Sequence, residues 1–71
     1  MVRAIVLVTS PKKLIAARLR KVKSVYESFP VSGQFDAVAK IQTKQLSEIK
    51  EIITEIQKIN GVERTETLVE V

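Results

Sequence analysis

The chain contains no cysteine and no histidine. Disulfide stapling is therefore excluded, and so are the usual thiolate and imidazole metal sites. The same absences remove the commonest nucleophile–base pairs, and no glycine-rich phosphate loop is present. Neither catalysis nor a bound cofactor or metal is expected. Aromatic residues number only three, Tyr26, Phe29 and Phe35, with none on the first predicted strand to act as a base-stacking platform. The longest unbroken apolar run, Ala4 to Val8, is five residues. That is far short of a membrane span or a secretory core. No membrane role is expected, and the default location is cytoplasmic.

What is present is 45% apolar content in 71 residues. That supports one small domain, residues 1–71, rather than disorder. So short a chain buries a small share of its surface and often needs external support. With staples and metals excluded, association remains. Charge is segregated. Residues 1–26 hold seven basic side chains and no acid, for +7, whereas the remainder carries −3. A basic first helix can meet nucleic acid, an acidic partner or water.

Val2 to Thr9 reads as a strand, being rich in β-branched residues and too short for an isolated helix. Ser10-Pro11 supplies a helix start, and a first helix is predicted over Pro11–Val22 with Ser10 as its cap. Leu14, Ile15, Leu19 and Val22 form its apolar stripe. Val25–Val31 and Phe35–Gln42 are predicted strands around a Ser32-Gly33-Gln34 turn, and so short a connection makes an antiparallel hairpin. Leu46, Ile49, Ile52, Ile53, Ile56 and Ile59 recur at helical spacing, with Thr43 available as cap and Asn60-Gly61 as the stop. Val62–Val71 is the last predicted strand. The order is βαββαβ, a ferredoxin-like α+β arrangement in which both helices cover one face of a four-stranded antiparallel sheet.

Two helices cannot cover both faces of that sheet. The first strand is nevertheless apolar on both sides, and in the third Val38 opposes the face of Phe35, Ala37, Ala39 and Ile41. Burial of the second face against another copy resolves this, so dimerisation through the sheet is expected.

Two motifs then carry a resemblance. Gly33-x-Phe35-Asp36 stands at the hairpin, and Gly61-Val62-x-Arg64-Thr65-x-Thr67 opens the last strand. Placed in this element order, they make the whole chain similar to the RAM domain, the effector domain of the Lrp/AsnC transcription regulators. The resemblance implies a non-catalytic module that dimerises through its sheets and assembles further into an octamer or larger ring. It implies amino-acid binding in clefts between dimers, at Gly33, Phe35, Asp36, Thr65 and Thr67. It also implies a stand-alone form without the helix-turn-helix domain, able to partner full-length Lrp/AsnC regulators. Gln34 and Phe35 depart from the acidic residue and tyrosine common there. The segment Lys21-Val22-Lys23-Ser24 lacks the Pro-Gly often found before the second strand.

Each residue has a plainer role beside the functional one. A turn alone accounts for Gly33. Asp36 either holds a ligand's ammonium group, caps the hairpin or pairs with a lysine. Thr65 and Thr67 share a face, where two hydroxyls suit a carboxylate, but threonine is also a favoured strand residue. Arg64 suits an anion or an intersubunit ion pair. Among rival readings, a pure interaction module without a ligand keeps every structural feature. An ACT-type amino-acid sensor shares the element order but not the two motifs. A weak nucleic-acid binder would rely on the basic helix alone, so no direct sequence-specific DNA binding is expected.

Overall fold

A computed structural model describes all 71 residues. The elements are β1 (Val2–Thr9), α1 (Ile15–Leu19), β2 (Val25–Pro30), β3 (Ala37–Thr43), α2 (Leu46–Gln57) and β4 (Arg64–Val69). The strands form one sheet in the order β2-β3-β1-β4, with every neighbouring pair antiparallel. Each helix connection therefore passes over one intervening strand. This is the ferredoxin-like order read from the sequence.

The core lies between the sheet and the helices. Ala4, Val6 and Val8 of β1 and Ala37, Ala39 and Ile41 of β3 pack with Ile15, Ala16 and Leu19 of α1 and Ile49, Ile52 and Ile56 of α2. Small residues in the central strands let the helices sit close, and the isoleucines fill the gap. Because side chains alternate along a strand, Arg3, Ile5, Leu7, Thr9, Val38 and Lys40 must emerge on the opposite side. No element of the chain covers that side. No helix is long and apolar enough to cross a membrane.

Several boundaries differ from the sequence expectation, each for a local reason. The first helix does not begin at Pro11. Ser10 is buried, its hydroxyl accepts a hydrogen bond from the Lys12 amide (3.1 Å), and residues 11–14 form turns before Leu14 opens the helix. Leu14 consequently leaves the apolar stripe and is 73% exposed, while Ala16 joins the core. Thr43 is not the cap of α2 but the last residue of β3, paired with Val2; its hydroxyl donates to the Gln45 carbonyl (2.8 Å). Gln45 occupies the cap position. Val31, Phe35 and Asp36 lie outside the strands, although the Val31 amide still donates to the Asp36 carbonyl (3.0 Å) and closes the hairpin. The last strand ends at Val69, with Glu63 and Glu70 each adding one backbone bond to β1.

Gly33 and Gly61 adopt positive φ, as their turns require. Ser24 does so as well, at φ 75°, in the connection that lacks Pro-Gly. A left-handed non-glycine residue costs about 1–2 kcal/mol. Ser24→Gly is therefore expected to raise the melting temperature by a few degrees, after its larger unfolded-state entropy is subtracted. Thermal unfolding followed by circular dichroism checks this, and an unchanged or lower midpoint would show that the Ser24 turn is unstrained.

Candidate functional site at the hairpin end of the sheet

The hairpin tip, the end of β1 and the start of β4 lie at one end of the sheet. The Asp36 amide donates to the Val8 carbonyl (2.8 Å), Thr9 pairs with Arg64, and Val8 pairs with Thr65. Gly33 stands at the tip, with open space where a side chain would project. Phe35 is half-buried, and the Arg64 guanidinium lies 6.0 Å from its ring centre. That distance is at the outer limit of a cation–π contact, a weak attraction at an exposed position.

Asp36 is exposed, and one oxygen of its carboxylate accepts the Ser10 backbone amide at 2.7 Å. This contact bridges 26 residues and ties the exit of β1 to the hairpin. Asp36 thus already has a structural duty, which neither hairpin capping nor a lysine pair describes. Thr65 and Thr67 share the helix-facing side of β4, opposite Val8 and Val6, and both are half-buried. The Thr65 hydroxyl accepts from the Gln57 side-chain amide (3.1 Å) at the end of α2. Gln57, Arg64 and Thr65, with Val62 and Glu63, line a shallow cavity of about 310 Å³.

Within one chain the five predicted residues share an end of the sheet but not one concavity. Gly33, Phe35 and Asp36 cluster at the hairpin, Thr65 is adjacent on the helix side, and Thr67 lies one step further in. Three participants escaped the sequence reading. Ser10 offers the amide that Asp36 takes, and Gln57 reaches Thr65. The Thr9 hydroxyl is buried with no hydrogen-bond partner in the chain. Ser10 left a signal only as a helix cap, and Thr9 only as the polar end of the apolar first strand.

The open face of the sheet is the second feature. Leu7 and Val38 are cross-strand partners at its centre, flanked by Phe29 on β2 and Glu66 on β4. Ile5 lies opposite Leu68, and Tyr26 stands at a bulge in β2. Tyr26 and Leu68 are about half exposed, at 51% and 52%. A cavity of about 350 Å³ opens there among Arg3, Ile5, Tyr26, Lys40 and Leu68. Arg3, Lys40, Glu27, Arg64 and Glu66 also lie on this face, and one ion pair forms among them, Lys40–Glu27 (3.3 Å). Leu7, Val38 and Phe29 form an apolar strip across β1, β3 and β2, with Lys40 and Glu66 beside it.

The sequence model of the Lrp/AsnC ligand binding domain matches residues 3–70. The chain belongs to the Lrp/AsnC family. The HTH-type transcriptional regulator FL11 of Pyrococcus furiosus is 33% identical over 55 residues, which are 78% of this chain and 36% of the regulator. This Lrp/AsnC domain thus spans about a third of that relative's length. The crystal structure of TTHA0845 from Thermus thermophilus superposes with a TM-score of 0.90 at 31% identity, covering 100% of this chain and 94% of that one. The feast or famine regulatory protein Rv3291c from M. tuberculosis, solved with L-methionine, shares the fold (TM-score 0.85, 19% identity, 100% of this chain and 50% of that one). The curated relatives of this Lrp/AsnC domain are HTH-type transcriptional regulators.

Proposed function

We propose that this chain is an amino-acid-binding oligomerisation module that acts on transcription regulators of its family, and that it is not a catalyst. The observation that carries the reading is the match to a ligand binding domain along residues 3–70, in a fold shared with a regulator solved with L-methionine. Two copies pair through their open sheet faces, burying Ile5, Leu7 and Phe29. Such dimers assemble further, and a second dimer completes the cleft at the hairpin end. There the Asp36 carboxylate accepts the ligand's ammonium group. Its carboxylate meets backbone amides near Gly33, the hydroxyls of Thr65 and Thr67, and the Phe35–Arg64 pair at the margin. Completion by a neighbouring dimer is consistent with the divided arrangement in one chain.

A second reading is favoured by particular contacts. Asp36 is engaged by Ser10, Thr65 by Gln57, and Gln34 stands where an acid is common. A module so occupied would co-assemble with full-length Lrp/AsnC regulators without a ligand. Titration calorimetry of the assembled protein with the common amino acids separates the two. Saturable heat from at least one amino acid is expected, and silence from all would leave the pure interaction module.

A further inference from the structure

The proposed function does not use the basic segment. Lys12, Lys13, Arg18, Arg20, Lys21 and Lys23 lie on α1 or in the turns either side of it, all are exposed, and none is within ion-pairing distance of a carboxylate. The one ion pair in the molecule, Lys40–Glu27, is on the opposite side of the sheet. So dense a group of like charges opposes folding through self-repulsion. Solubility alone would be served by charges scattered over the surface, yet residues 1–26 carry +7 and the remainder −3.

Two of the six cations are held in place. The Arg20 guanidinium donates to the Ser28 carbonyl on β2, and the Ser28 hydroxyl in turn donates to the Ala16 carbonyl of α1 (2.7 Å). The stem of Lys12 lies against Gly61, where any side chain would collide with it. Lys13, Arg18, Lys21 and Lys23 are free to meet a partner. The segment contains no aromatic residue, since Tyr26 and Phe29 emerge on the far face of the sheet. Its one large exposed apolar side chain is Leu14, and α1 is only five residues long. That is too little apolar surface for a membrane-binding helix and offers no platform for stacking single-stranded bases.

We infer that the α1 surface docks on the phosphate backbone of duplex DNA, without reading its sequence. Pairing of the open sheet faces would leave this surface outward, so the contact is compatible with the proposed assembly but does not depend on it. Four free cations correspond to about four released counterions per copy, and a log–log salt slope of about −3 to −4. Affinity then falls roughly 100-fold between 50 and 200 mM salt.

Fluorescence anisotropy with two 20-base-pair duplexes of unrelated sequence tests this. Equal binding to both is expected, with that slope. The triple variant Arg18→Gln, Lys21→Gln, Lys23→Gln is expected to flatten the slope to about −1, because each removed cation subtracts about 0.9. Lys50→Gln with Lys58→Gln, on and just beyond α2, should leave the slope unchanged. Circular dichroism verifies that both variants are folded. Absence of binding at 50 mM salt, or an undiminished slope in the folded triple variant, would overturn the inference. Equal or tighter binding to polyglutamate or to single-stranded DNA would overturn the choice of duplex backbone as partner.

Discussion

Val6→Asp and Leu7→Asp, adjacent substitutions of one apolar strand, are expected to fail in different ways. Val6 is fully buried between sheet and helices. A carboxylate there has no partner, and burying an unpaired charge costs more than about 4 kcal/mol. A chain of this length has total stability of order 5 kcal/mol, so Val6→Asp unfolds it. Leu7 points to the open face, opposite Val38. Leu7→Asp leaves the helix-side core intact and places a charge in the middle of the surface proposed to pair with a second copy. Two-fold pairing would bring two such charges close, so a folded protein of monomer mass is expected. Light scattering with circular dichroism distinguishes the outcomes. A Leu7→Asp protein that keeps the mass of the unaltered assembly would show that the open faces do not pair.

The second large effect is expected at Asp36. A charge-assisted hydrogen bond is worth about 1.5–3 kcal/mol when its partner is truncated, so Asp36→Ala should weaken amino-acid binding about 10- to 100-fold. The same substitution releases the Ser10 amide and loosens the end of β1, so some stability is lost with it. Asp36→Asn separates these effects. Its side-chain carbonyl still accepts from Ser10, while the negative charge that attracts an ammonium group is gone. Weakened binding in Asp36→Asn with an unchanged melting temperature assigns the ligand role to the carboxylate. Unchanged affinity in both variants would confine Asp36 to its bond with Ser10.

Legibility in the sequence followed the range of the interactions. The double apolar character of β1 exposed the uncovered sheet face, because alternation is a strictly local rule and both its phases were filled. The isoleucine spacing located α2, since one buried face dictates it. The start of α1 was misread because Ser-Pro before an apolar stripe is a general helix opening. Here the Ser10 amide is captured by a residue 26 positions away, and its hydroxyl turns back to Lys12. Thr43 was misread as a cap because its pairing with Val2, near the other end of the fold, carries the strand one residue further. At the candidate site the residue types were legible and the engagements were not. Gln57 meets Thr65, and Arg64 meets Phe35, only after helix and hairpin converge on one sheet end. The divided placement of Thr67 and Asp36 has the same origin: motif spacing locates residues along strands, not the distance between the ends they reach in the fold.

The measurement that bears most directly on amino-acid sensing is a calorimetric titration of the purified assembly with each common amino acid, L-methionine first. Light scattering on the same sample confirms that the assembly is intact. The proposed site predicts saturable heat from at least one amino acid, diminished in Asp36→Asn. No heat from any amino acid, in an intact oligomer, would contradict it.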